Sequence, residues 1–331
     1  MTRAKYPNEG RFAFTIIDDT DVATRANVEP VYRLLDELGM RASKTLWPVS
    51  CPEGSRDFGT SETLEDHAYR EFLIDLQRRG FELTWHGATM ESSRRERTMI
   101  ALERFREVFG DYPRIHVNHS YNRENLYWGP GRVDNPLLRR VSAWVGGAGE
   151  DYFQGHVEGS PYWWGDLCSR HFTYCRNLTF SDINTSAVNP SIPYRDPARP
   201  IAQWWFSSTD AEDAEEFAEL LHPKNQDQLE REGGVCIVAT HLGKGFYDRN
   251  RVHPLVEERL RLLAKRPGWF PPVSPLLDWM RDQRETELLP PGEWRRMQWQ
   301  WMFDLAARKI RRRLRTRRTT RRPENRLDGP H

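Results

Sequence analysis

The sequence predicts an α/β fold, a distorted (β/α) barrel, on three observations. Short apolar runs of strand length alternate with longer segments whose apolar residues recur at helical spacing, the pattern of a parallel sheet covered by helices. Three of the strand-like runs end in ionisable groups: the run over 11–21 closes on Asp18, Asp19 and Asp21, that over 81–86 on His86, and that over 235–241 on His241. A chain of 331 residues, 38% hydrophobic and 12% aromatic, is long enough to close such a barrel around one core. The C-terminal strand ends of a barrel share one rim, so Asp, His and His placed there point to a metal-assisted hydrolytic site.

The elements follow in order. A strand over 11–17 leads into a helix over 28–39 that stops at Gly39, then a strand over 44–48. A helix over 63–79 closing at Gly80, a strand over 81–85, a helix over 92–109 closing at Gly110 and a strand over 114–119 repeat the unit. Between 120 and 200, Gly, Pro and aromatics are dense, which predicts long loops forming binding walls. Regularity returns with a strand over 202–207, a helix over 211–221, a strand over 235–240 and helices over 253–265 and 274–284. One barrel domain over 1–290 and a C-terminal segment over 291–331 are expected.

Charge divides the chain. The net charge is +1, yet residues 306–331 carry eleven Lys or Arg and two acids, leaving 38 bases and 46 acids before them. No stretch approaches the roughly 18 apolar residues of a membrane span, and no apolar segment opens the chain, so a cytoplasmic protein is expected. Cys51, Cys168, Cys175 and Cys236 form no Cys-x-x-Cys pair and are expected to be reduced and structural. Gly243 and Gly245 flank Lys244 without the remaining residues of a phosphate loop, and no nucleophile elbow occurs.

A strand ending in Asp18-Asp19, a strand ending in His86 and a last strand ending in His241 together resemble the polysaccharide deacetylases of the NodB-homology type, carbohydrate esterase family four. The likeness spans roughly residues 11–285. It implies that Asp18 is the general base, Asp19 and His86 are metal ligands and His241 is the general acid. The chain departs from the family's pattern after His86, where the following helix supplies no second His. Glu91, one turn on, and His119, at the next strand end, are the candidates to complete the ligand set.

Elementary chemistry supports those roles. A divalent cation held by carboxylate and imidazole lowers the pKa of its water from 15.7 to about 7 and polarises an amide or ester carbonyl. A neighbouring carboxylate takes the proton, and a protonated His serves the leaving amine. Zn²⁺ is the expected metal, with Mn²⁺ or Fe²⁺ also suited to an oxygen-rich site. Asn118 at the end of the strand over 114–119, Asn122 and Trp128 in the loop after it, and Asp166, Arg176 and Tyr194 further on are candidates for orienting a carbohydrate or glycan-precursor substrate.

The segment over 293–318 predicts a basic amphipathic helix with Trp294, Met297, Trp301 and Leu305 along one stripe and Arg beyond them. Two outcomes follow from that pattern. The helix rests on an anionic membrane surface at the inner face, or its aromatic half packs on the barrel and its Arg-rich end is a disordered, solvated tail. No nucleic-acid recognition motif accompanies the charge. Two other classes stay open: a metal-free barrel that binds glycan or a protein without turnover, and a glycosidase-like barrel with paired carboxylates.

Overall fold

The computed structural model describes residues 6–149, 151–284 and 286–319. Seven strands run parallel, each bonded to the next: β1 (Phe12–Asp18), β2 (Ser43–Leu46), β3 (Glu82–Trp85), β4 (Ile115–His116), β5 (Tyr174–Phe180), β6 (Trp204–Asp210) and β7 (Val235–Thr240). β7 returns to β1 and closes the barrel along a register from Ala13↔Val235 to Asp18↔Thr240. The closure is uneven. β3 meets β4 only at Trp85↔His116, and β2 pairs only with the end of β1, through Ile17↔Ser43 and Asp18↔Lys44. A short segment, Gly268–Trp269, pairs with Phe12 and Ala13 where β2 does not reach.

Around the strands lie α1 (Arg25–Glu37), α2 (His67–Arg78), α3 (Arg95–Phe109), α4 (Pro136–Gly146), α5 (Gly165–His171), α6 (Thr185–Val188), α7 (Ala214–Leu220), α8 (Pro223–Glu232), α9 (Pro254–Ala264), α10 (Val273–Asp282) and α11 (Pro291–Thr319). α1 starts at Thr24, whose side chain and that of Asn27 cap each other's backbone N–H, so Pro30 falls inside the helix rather than ending it.

Strand alternation decides which residues face the site, because successive side chains point to opposite faces. Ala13 and Ile17 of β1 share a buried cluster with Ile115, Val117, Tyr174, Phe206, Val235, Ile237 and Ala239, the inside of the barrel, with Val273, Leu276 and Leu277 of α10 beside them. Phe12, Phe14 and Ile16 instead join Val31 and Leu35 of α1 and Leu260 of α9 on the outside. Each such side chain contributes about 1.5–3 kcal/mol on burial, which fixes the register firmly.

Two expectations need correction. The stretch over 120–200 is not only loop, since it holds β5, α4 and α5. β5 was hidden because Arg176 and Asn177 interrupt its apolar run, and a register shift between Arg176 and Thr179 breaks its alternation. The aromatic half of α11 lies on the barrel: Trp294, Met297, Trp301 and Met302 are buried in one cluster with Trp205 and Tyr194, which leaves that face unavailable to a membrane. Among the described residues no helix is long and apolar enough to cross a membrane. The Arg-rich end expected to be disordered is helical through Thr319, and residues 320–331 lie outside the described residues.

Candidate metal centre and active site

The three acids at the end of β1 meet three different environments. Asp18 has the parity of Phe12, Phe14 and Ile16, so its side chain points out toward α1. There it is fully buried and saturated: Lys44 Nζ donates to Oδ2 at 2.8 Å, Tyr32 Oη donates to Oδ2 at 2.9 Å, and the Leu242 N–H donates to Oδ1 at 2.8 Å. Lys44 is equally buried, on the neighbouring strand at the paired position. The carboxylate expected as general base is thus a clamp that ties β1 to β2, α1 and the loop after β7.

Asp19 has the inward parity of Ile17. Arg176, inward on β5, holds both its oxygens, Nη1 to Oδ1 at 3.1 Å and Nη2 to Oδ2 at 2.7 Å. Burial alone would raise the Asp19 pKa, but Arg176, with His86 and His241 nearby, brings it below the ordinary carboxylate value.

Asp21 stands at the centre of three imidazoles. Its Oδ1 lies 3.4 Å from His86 Nε2 and 3.4 Å from His119 Nε2, and its Oδ2 lies 3.4 Å from His241 Nε2. All three rings are aimed by their other nitrogen: His86 Nδ1 to the Val117 carbonyl at 3.1 Å, His119 Nδ1 to Asn122 Oδ1 at 3.3 Å, and His241 Nδ1 to the Glu212 carbonyl at 2.9 Å. An acceptor at each Nδ1 fixes the tautomer that leaves Nε2 free to ligate, the usual support of a metal-binding His. Trp47 packs against the rings of His86 and His119 at centroid distances of 4.9 and 5.0 Å.

The loop that presents Asp21 is held in a strained shape. Val22, a β-branched residue, has φ of 52°, which costs energy and is found where surroundings over-determine the backbone. Gly243, just after His241, lets the two loops touch: a Cβ there would sit 2.9 Å from the Val22 carbonyl oxygen and 3.1 Å from that of Asp21. This close approach is a packing reason for glycine at position 243.

Asp21, His86 and His119 have ligand atoms close enough together to hold one metal ion. Asp21 Oδ1 and His86 Nε2 are buried with no hydrogen-bond partner among the described residues, a costly arrangement for protein alone and a natural one around a cation. Asp21 is held well below the carboxylate range: burial opposes this, and the three imidazoles around it, His119, His241 and His86, outweigh it. Burial lowers His86, whereas Asp21 outweighs burial at His119 and at His241, which rises to about 9.

No protein-family model matches the chain, and no curated protein matches it by sequence. Among solved structures, a protein assigned as a polysaccharide deacetylase from Pseudomonas aeruginosa PAO1 superposes with a TM-score of 0.50 at 14% identity, over 84% of this chain and 94% of its own. The chain has the polysaccharide deacetylase fold. A second such structure, from Mycobacterium smegmatis, has a TM-score of 0.47 at 14% identity and covers 88% of this chain and 97% of its own. A family 4 acetyl xylan esterase from Clostridium thermocellum gives 0.38 at 11%, over 84% and 99%. At these identities the likeness establishes the fold, and the chemistry has to come from the residues.

Within this deacetylase-type barrel the remaining sequence candidates separate. Asn122 supports the site: its Oδ1 accepts from His119 Nδ1, and its Nδ2 donates to the Thr89 and Glu91 carbonyls and to Glu124. Asn118 is structural, joining His116 Nε2 at 2.8 Å and the Leu126 backbone. Glu91 stays outside the ligand cluster, and its backbone serves the turn with Thr89 and Ser93. Asp166 is spent on an outer ion pair with Arg95, and Tyr194 is core beside Trp294. Trp128 remains partly open on the wall next to His119, its Nε1 donating to the Ser120 carbonyl at 2.7 Å.

Proposed function

We propose that the protein is a metal-dependent hydrolase that removes an acyl group, N-acetyl, from a carbohydrate or glycan precursor. The observation that carries this reading is the convergence of three Nε2 atoms on Asp21, with orphaned ligand atoms, beside an Asp19 kept ionised by Arg176. Asp21, His86 and His119 would hold the cation, and a two-imidazole, one-carboxylate set suits Zn²⁺, Mn²⁺ or Fe²⁺. A cation there supplies a Lewis acid for the scissile carbonyl and a more acidic water.

The chain's own residues do the rest. Asp19 is the carboxylate positioned to accept a proton from the attacking water, with Arg176 orienting it. His241, with Nε2 turned into the site and Asp19 and Glu212 near it to favour its protonated form, donates to the leaving amine. Its Nδ1 bond to the Glu212 carbonyl keeps Nε2 facing the site. Roles therefore shift one acid along from the sequence expectation, with base at Asp19 and ligand at Asp21.

The test is metal content by plasma mass spectrometry together with acetate release from N-acetylated oligosaccharides. Near-unit metal in wild type, lost in Asp21→Ala and His86→Ala, with release lost in Asp19→Asn while its metal is retained, is the expected result. Wild type that takes up no Zn²⁺, Mn²⁺ or Fe²⁺ would overturn the reading.

A further inference from the structure

Arg132 is a buried cation without a counter-ion. Its side chain belongs to a residue only 8% exposed, and its Nε is fully buried with no hydrogen-bond partner. Among the described residues no carboxylate pairs with it. Burial pushes its pKa well below the ordinary guanidinium value, and two further cations, Arg176 and Arg308, push in the same direction against the weaker pull of Asp210. Every other buried arginine in this quarter has an oxygen partner: Arg176 has Asp19, Arg199 has Asp134 and Asp196, and Arg308 has the Thr179 carbonyl.

The surroundings hold this cation in place rather than neutralise it. The guanidinium carbon lies 3.0 Å from the Trp128 ring centroid and 5.5 Å from that of Trp301 on α11. The short helical turn Gly129–Arg132 is anchored by Arg199 Nε, which donates to the Gly131 carbonyl at 2.9 Å. Trp128 in turn bonds to Ser120, the residue after His119, so Arg132 belongs to the same wall as a candidate metal ligand. Aromatic faces stabilise a guanidinium without consuming its N–H donors.

A buried unpaired charge costs several kcal/mol, and a fold carries that cost where a ligand relieves it. We propose that Arg132 is the recognition site for an acidic group on the substrate, a carboxylate or phosphate borne by the acylated sugar. The planar fork of a guanidinium matches either anion with two parallel N–H···O bonds. Arg176 and Arg308 add positive potential at the same spot. This deepens the hydrolase reading by restricting its substrates to anionic sugars.

The experiment is calorimetric titration of the full chain at constant ionic strength with glucuronate, glucose 6-phosphate and glucose, using wild type, Arg132→Met and Asp21→Ala. Met fills the slot between the two indoles without charge. Wild type and Asp21→Ala should bind glucuronate or the sugar phosphate saturably and glucose not at all, and which anion binds more tightly names the group. Arg132→Met should lose at least about tenfold in affinity and, with no anion present, melt above wild type because the unpaired charge is gone. Equal anion binding by wild type and Arg132→Met, no anion binding by wild type, or binding that vanishes in Asp21→Ala would overturn the proposal. Because Asp21→Ala removes the metal ligand, anion binding that survives in it separates this inference from the hydrolase reading. Metal uptake that fails while anion binding persists sinks only the latter.

Discussion

The two sides of the barrel mouth treat buried charge in opposite ways. On the β1–β2 side, Lys44 and Asp18 are completely buried, and every strong valence of the carboxylate is met by Lys44, Tyr32 and Leu242. Elsewhere around the mouth, Asp21 in the loop after β1, His86 at the end of β3 and Arg132 present buried atoms that have no hydrogen-bond partner among the described residues. Saturation makes the first cluster structural, and the deficit at Asp21 and His86 is one that a bound cation would relieve. Burial and charge alone would have ranked both alike.

The sharpest way to break this comparison is Asp18→Asn. It strands Lys44 without a counter-ion, so unfolding in urea should show a loss of about 3–5 kcal/mol. Intact stability with lost acetate release would return Asp18 to the general-base role. On the open side Asp19→Asn should cost about 10²–10⁴ in kcat, read by steady-state assay, and a urea curve should also show a loss of a few kcal/mol, because buried Arg176 keeps no counter-ion.

A smaller effect tests the polar shell behind His119. Glu124 is deeply buried, and burial raises its pKa from 4.5 to about 7, so the folded state binds its proton more tightly than the unfolded chain does. Stability from this group is therefore full below pH about 4.5 and is lost as pH rises through about 7, by up to about 3 kcal/mol. Glu124→Gln should flatten that part of the stability profile measured between pH 5 and 8. Smallest is Asn122→Ala, which frees His119 Nδ1 and should weaken metal affinity about 10–100-fold by equilibrium dialysis, with the fold unchanged.

Much of the site was legible from strand ends, since His86, His119 and His241 each continue the inward parity of Thr84, Val117 and Ala239. The same parity contained the signal that was missed. Counting from Ile17, inward on β1, the next inward residue is Asp19, and Asp18 falls with Phe14 and Ile16 toward the helices. Taking the acid pair as a unit concealed that a one-residue step reverses the face. Arg132 left no local trace, because its meaning depends on Trp128 and Trp301, the latter 169 positions away, and on a counter-ion that never arrives.

By itself the sequence determined the alternation of strand and helix, the closure of a parallel barrel and the placing of acids and imidazoles at its C-terminal rim. Periodicity and burial are local properties, and each apolar run carries them whatever its neighbours do. Only the tertiary structure decided which acid is sealed by Lys44, which is held by Arg176 and which gathers three imidazoles, and that α11 spends its aromatic face on the barrel. Those outcomes depend on partners brought together from strands and helices far apart in the chain, and a charge acquires its role from the partners it is given or denied.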